Sequence, residues 1–294
     1  MDDSLEWFRE HHAENMERMF AAVGGLYAER WGEFFHFALF EDGDDPEDRD
    51  GAFARTHRCY AEALRVGGAT RVLEVACGRG GFAAFLAART AGEVLGIDIS
   101  RAQLAAAARR HRRPNLRFRR HDAMRVAELG GRFDAVAFLD AECYLPDKGA
   151  ALAGIACAME PGARLLLLAW CRRDGLGRVQ EELVLRPFMR FWGIPGLETP
   201  SAYRGHFRRA GLRLLEEADL NAKVRPNWEL GYRRAVEGVR GLTPAKAARL
   251  LWKGMPLGAA GVRLLKEQFP AALYVKAGFD AGFLRYTYFL AERG

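Results

Sequence analysis

What the chain lacks narrows it before any motif is read. Its 294 residues include only five cysteines, Cys59, Cys77, Cys143, Cys157 and Cys171. The number is odd, and no two stand at the C-x-x-C spacing that zinc or thiol redox work needs. Buried free thiols in a reducing cytoplasm are therefore expected, with no metal ligand set. Long hydrophobic runs are missing too. The longest, Leu165 to Trp170, is far short of the roughly 20 residues that cross a bilayer, and the first residues, MDDSLEWF, are acidic where a signal peptide is basic. No membrane insertion is expected. Neither an internal repeat nor a low-complexity linker is visible. An excess of one charge sign is nearly absent, with 44 basic against 38 acidic residues. The one dense basic patch, Arg109 to Arg120 (RRHRRPNLRFRR), falls where a helix ends and a loop follows, positions that favour cations without nucleic acid.

Half of the residues are hydrophobic, enough for a full core, as one enlarged domain or a core with a cap. The chain is organised around Thr70 to Ala88, TRVLEVACGRGGFAAFLAA. An apolar strand, Arg71 to Ala76, runs into Gly78, Gly80 and Gly81 and then an Ala-rich helix, the strand, turn and helix of a nucleotide-binding unit. Glycines let that backbone take φ > 0 and approach a ligand closely, while the N–H groups of the new helix point into the crevice. A dinucleotide site wants G-x-G-x-x-G for its pyrophosphate; here an acid, Glu74, lies on the strand in the pattern E-V-A-C-G-R-G. A second strand, Glu93 to Ile99, ends in Asp98, about twenty residues on, where a carboxylate accepts both hydroxyls of a ribose. Ser100 then caps a helix with Gln103 in its first turn, facing the ribose side.

The third strand, Leu116 to His121, ends at Asp122 and Ala123. Phe133 to Leu139 is the fourth, and Pro161-Gly162 introduces the fifth, Arg164 to Trp170. Gly211 to Leu220 and Gly282 to Glu292 read as the last two. Strands alternating with helices predict an α/β, doubly wound, mostly parallel seven-stranded sheet with ligands at the strand C-termini. Residues 2 to 30 read as one or two helices, and the stretches Leu183 to Phe191 and Trp228 to Phe269 as an inserted helical lid. The expected division is 1–50, an entrance segment; 51–171, a cofactor-binding core; and 172–294, the remaining strands with the lid.

The E-V-A-C-G-R-G stretch resembles motif I of the class I S-adenosylmethionine methyltransferases. That resemblance implies S-adenosyl-L-methionine as cofactor, with Glu74 and the glycine loop holding its cationic amino acid end and Asp122 accepting the adenine amino group. Ala76, Cys77, Ile99, Ala123 and Leu139 would line the same site, Ala76 standing where the family has its first glycine. Later stretches are similar to tocopherol and sterol C-methyltransferases, a branch that includes plant alkaloid N-methyltransferases: DAECYLPDK from Asp140, AWCRRD from Ala169, WGEFFHF from Trp31, PSAYRGHF from Pro200 and ADLNAKVRPNW from Ala218. The branch implies a bulky, apolar acceptor, such as an isoprenoid, a prenylated phenol, a sterol-like or an alkaloid-like molecule, with carbon favoured over nitrogen or oxygen. An amine acceptor, or a cofactor-binding homologue with cyclase-like activity, stays open, as does a homo-oligomeric state. The N-P-P-Y type loop of nucleic-acid methyltransferases is absent after the fourth strand.

A carbon or phenol acceptor needs a base within hydrogen-bond reach. His36 and Glu142 lead the candidates, followed by Asp140 and His206. Glu142 would face the methyl from the loop after the fourth strand. His36 would come from the aromatic stretch Tyr27 to Gly43, whose ring faces suit a sulfonium. Tyr27, Trp31, Tyr144, Phe188, Trp192, Trp228 and Tyr232 would line the acceptor, joined by Phe191, Tyr203 and Trp252. The sterol branch has a histidine where Tyr144 stands.

Overall fold

The computed structural model describes residues 3–240, 243, 270 and 272–294. Seven strands form one sheet: β1 (Val72–Val75), β2 (Val94–Asp98), β3 (Leu116–Arg120), β4 (Phe133–Leu139), β5 (Met159–Arg172), β6 (Leu212–Asp219) and β7 (Leu284–Arg293), in the order β3-β2-β1-β4-β5-β7-β6. The first five run parallel, and β7 is antiparallel to both of its neighbours. Six strands fall within two residues of their expected spans. β5 does not: it starts at Met159, and Pro161-Gly162 lies inside it. Met159 pairs with Phe133, yet the next pair is Arg164 with Ala135, so the intervening residues bulge out, with Gly162 at φ 76°. A bulge leaves backbone groups unpaired, so proline's missing N–H does no harm there.

Helices cover both faces of the sheet, which is why β1, β4 and the middle of β5 are apolar on each side. Alternation along the strands sends Val72, Ala137, Leu139, Leu166, Leu168 and Tyr286 toward one core, with α3 (Arg49–Ala63) and α4 (Gly81–Ala87). Leu73, Val75, Phe138, Leu165, Leu167 and Phe289 enter the other, with α6 (Lys148–Cys157) and α9 (Pro200–Arg209). Between β2 and β3, α5 (Arg101–Arg110) starts at Ser100, whose hydroxyl accepts from Gln103 N–H. After β5, α7 (Arg178–Gln180) passes through a π turn (Glu181–Leu185) into α8 (Arg186–Trp192).

The chain begins with α1 (Asp3–Glu10) and α2 (His12–Trp31). The stretch 32–40 then crosses to α10 (Asn221–Arg240) and is tied there: Asn227 Nδ2 donates to Ala38 O (2.7 Å), Ala38 N–H donates to Asn227 Oδ1 (3.2 Å), and Phe40 N–H donates to Lys223 O (2.9 Å). Among the described residues no helix is long and apolar enough to cross a membrane. The thiols are free, but burial was expected for all five, and Cys59 and Cys157 are exposed. Both lie on helices, α3 and α6, that sit on the outside of the sheet and so keep one face in water.

Candidate active site

Two strand tips meet at the crevice. Glu74 points from β1 to the same side of the sheet as Val72, is 5% exposed, and leaves its Oε2 with no hydrogen-bond partner. Burial lifts its carboxyl to about 8, against the backbone N–H of Ala83 in the first turn of α4, which favours the anion; Asp98 raises it further. Asp98 closes β2 and accepts from Gly78 N–H (2.9 Å) and Ser100 N–H (2.8 Å), and burial lifts it to about 6 against those bonds. The loop between takes left-handed backbone at Ala76 (φ 55°), Gly78 (54°) and Gly80 (77°). At Gly80 a Cβ would stand 2.5 Å from Phe118 Cζ, so glycine is required. Ala76, where the resemblance expects glycine, carries the strain of an L-residue in that region, on the order of 1 kcal/mol. Cys77 is buried beneath it and Ile99 half-buried beside it.

Part of the aromatic stretch Tyr27 to Gly43 lies over this loop. A Cβ at Gly78 would touch Phe35 Cδ2 (3.5 Å) and Gln103 Nε2 (3.8 Å), and one at Gly81 would collide with Phe34 and Glu33. Gln103 is 2% exposed and its Nε2 has no partner. Phe20, 6.0 Å from Phe35 and 6.3 Å from Tyr144 between ring centroids, continues the cover with Met16 and Met19, against Ile99. Asp122 caps the 3-10 turn Ala123–Leu129 through Met124 N–H (2.9 Å) and is met by His12 Nε2 at 3.1 Å. Burial pushes the Asp122 carboxyl up, but the bonds from His12 and Met124 outweigh it and hold it below its ordinary value. No spacing in the sequence links His12 to Asp122, 110 positions on. Ala123 and Leu139 are buried at their strand ends.

The loop after β4 divides the two carboxylates. Asp140, at φ 60°, accepts from the indole of Trp170 and from Tyr286 OH (3.1 Å), with the Phe37 N–H also facing it; burial lifts it to about 8 in spite of those donors. Trp170 and Tyr286 pair directly across β5 and β7 and share the face that carries Glu74. Around them stand Phe37 (5.4 Å from Trp170), Phe188 (5.5 Å, stacked) and Phe279 (5.4 Å). Glu142 goes to the opposite face. Its Oε1 accepts from Trp170 N–H (2.8 Å) and Tyr203 OH (3.4 Å) in the core with α9, its Oε2 has no partner, and burial and then Asp140 push it up. Next to it Lys148, 5% exposed, donates to Leu145 O (2.7 Å), Gly196 O (2.7 Å) and Cys143 O (3.3 Å).

The other candidates separate. His36 is buried with Phe34, Phe53 and Phe82, its Nε2 2.9 Å from His57 Nε2; burial, then His57 and Arg49, hold it well below the usual imidazole range. His206 faces Gly149 on the α6 side and bonds Arg209 (2.7 Å). Tyr203 is not among the acceptor-side rings: it packs on Phe289 in the α6 and α9 core, because α9 lies behind the sheet. Phe188 stacks on Trp170 and Trp228 meets Phe279, Trp192 and Tyr144 pack on the same face of the sheet, and Tyr232 is half-buried with Lys276 over its ring. Phe191 stacks on Tyr274. The side chains of Tyr27 and Trp31, and Trp252 altogether, lie outside the described residues. Trp170, Tyr286 and Phe279 escaped the sequence reading, and Phe37 entered it only as one ring of the stretch Tyr27 to Gly43; Trp170 and Tyr286 were visible as aromatics in the fifth and last strands, but their pairing was not.

The profile of a methyltransferase domain matches residues 72–162, from β1 into β5. Over 195 residues, 65% of this chain and 70% of the relative, the sequence is 30% identical to the methyltransferase GfsG of Streptomyces halstedii. The chain belongs to the class I S-adenosylmethionine-dependent methyltransferases. This methyltransferase is also 24% identical to a chloroplastic tocopherol O-methyltransferase of Arabidopsis thaliana over 286 residues, 90% of the chain and 77% of the relative. Its fold is that of the geranyl diphosphate C-methyltransferase of Streptomyces coelicolor A3(2), solved with Mg2+, geranyl diphosphate and S-adenosyl-L-homocysteine: TM-score 0.69 at 15% identity, covering 96% and 98% of the two chains. Its cofactor is S-adenosyl-L-methionine. The residues present fit it: a Glu74 carboxyl oxygen and a Gln103 amide nitrogen are buried beside a glycine loop without partners among the described residues, and an ammonium group beside Glu74 would favour its anion.

Proposed function

We propose that the enzyme methylates a bulky, largely apolar acceptor of isoprenoid, prenylated phenol, sterol-like or alkaloid-like character, with carbon as the favoured atom. The observation that carries this reading is the carboxylate of Asp140 set among Trp170, Tyr286, Phe37, Phe188 and Phe279. Rings supply apolar area for such a molecule, and a carboxyl lifted to about 8 is poised to take a proton from it near neutral pH. The relative named for tocopherol agrees with the same acceptor class.

When bound, the cofactor supplies an electrophilic methyl group. Glu74 holds its ammonium end, Gly78 to Gly81 shape the floor, Gln103 and Asp98 take the ribose side, and Asp122 meets the adenine. Phe35, Phe20 and Tyr144 exclude water above the loop. Asp140 accepts the acceptor's proton, a role the sequence reading gave first to His36 and Glu142; His36 has its Nε2 shared with His57, and Glu142 hangs on the far face of the sheet.

Incubating the enzyme and deuterated-methyl cofactor with apolar and polar metabolite extracts, followed by mass spectrometry, tests the reading. Label is expected in an apolar product and on carbon. Label confined to small polar amines would overturn the acceptor class, and label on nitrogen of an apolar molecule would turn the favoured atom.

A further inference from the structure

Trp228, one of the rings expected to line the acceptor, carries a buried polar group without a partner among the described residues. Its indole is 6% exposed and its Nε1–H has no hydrogen-bond partner among the described residues, whereas buried tryptophan N–H groups are normally paired. The ring meets Phe279 edge-on at 5.4 Å, and Phe279 in turn stands 5.4 Å from Trp170, whose own indole N–H is taken by Asp140. Two centroid steps thus lead from this donor to the ring whose N–H bonds the carboxylate. Its placement is firm, because neighbouring Asn227 ties α10 to Ala38 through two bonds. Arg225 lies over the ring at 5.7 Å and closes the outer side.

We propose that the Trp228 indole N–H is a specificity determinant that pairs with a hydrogen-bond-accepting oxygen of the methyl acceptor, a hydroxyl, carbonyl or ether remote from the atom that Asp140 serves. This deepens the acceptor class proposed above and rests on it. A pure hydrocarbon would leave the donor unpaired, while an oxygenated one relieves it, and sites built around one polar group discriminate strongly against ligands that lack its partner. The acceptor is then an amphipathic molecule with its oxygen at a fixed distance from the methylated position.

The test uses the full chain loaded with S-adenosyl-L-homocysteine and two probes that differ in one oxygen, 2-geranylphenol and geranylbenzene. Calorimetry is expected to show the phenol binding about 10-fold tighter or more, and Trp228→Phe to abolish that preference while leaving geranylbenzene and homocysteine-cofactor affinities within about 2-fold. In 15N-tryptophan-labelled wild-type protein the Trp228 indole resonance is expected to move with the phenol alone. Equal affinities for the two probes, failure of both to bind, a preference that survives Trp228→Phe, or an indole resonance unmoved by the phenol, as when a water alone occupies the donor, would each overturn the inference. Because these readouts need no methyl transfer, they can fail while labelled products still support the apolar acceptor, and hold while Asp140→Asn leaves turnover unchanged.

Discussion

Asp140 and Glu142 are two positions apart and end on opposite sides of the sheet. The left-handed backbone at Asp140 turns the loop, so Asp140 meets Trp170 and Tyr286 while Glu142 reaches Tyr203. Asn at position 140 can still accept from the indole but cannot take a proton. Asp140→Asn is therefore expected to lower turnover by about 10²- to 10⁴-fold, with S-adenosyl-L-homocysteine affinity within about 2-fold; an unchanged turnover number would remove the base. Wild-type turnover is expected to rise with pH through about 8, since the carboxylate is the active form. Glu74 gives a stability signature. Its folded value, about 8, lies above its ordinary 4.5, so its contribution is fully present below 4.5 and is lost as pH rises through 8. Scanning calorimetry of cofactor-free protein from pH 5 to 9 is expected to show a falling midpoint, with a shallower fall in Glu74→Gln. That variant is also expected to bind the cofactor about 100-fold more weakly, for want of an anion against the ammonium.

At the level of elements, the site is held by contacts between pieces far apart in the chain. Lys148, at the start of α6, gathers carbonyls from the loop after β4 (Cys143, Leu145) and from Gly196 beyond α8. Burial lowers its ammonium value, and the neighbouring thiol Cys143 and Glu142 oppose that. Lys148→Met would fill the space but strand three carbonyls, so a loss of roughly 2–4 kcal/mol is expected in urea unfolding; a loss below about 0.5 kcal/mol would mean the ammonium only fills space. The stretch 32–40 is the other tie. One end of it, Phe34 and Phe35, presses on the glycine loop, and the other, Ala38 and Phe40, is bonded to α10. The stretch therefore links the cover over the glycine loop to α10.

For the whole molecule, a ligand that binds only the folded chain stabilises it by mass action. S-adenosyl-L-homocysteine at 100 times its Kd is expected to add about 2.7 kcal/mol, seen as a rise in Tm of roughly 5–10 °C for a chain of this size; no rise would contradict the crevice assignment. The sheet that builds this crevice was readable residue by residue. Apolar runs, glycines, Ser100 and acids at strand ends are local signals, each within one element and its neighbour in sequence, and they located six strands to within two residues. The β5 bulge was not readable, because Pro161-Gly162 signals a break whether the strand stops or merely steps aside. By itself the sequence determined the fold class and placed the glycine loop, Glu74 and Asp98 at the ends of neighbouring strands, since short-range backbone and polarity rules fix those. Only the tertiary structure decided that His12 meets Asp122, that His36 is spent on His57, and that Asp140 shares a face with Trp170 and Tyr286. Such pairings depend on which strands become neighbours and on the parity of each side chain about the sheet, and both are settled by packing across more than a hundred residues of chain.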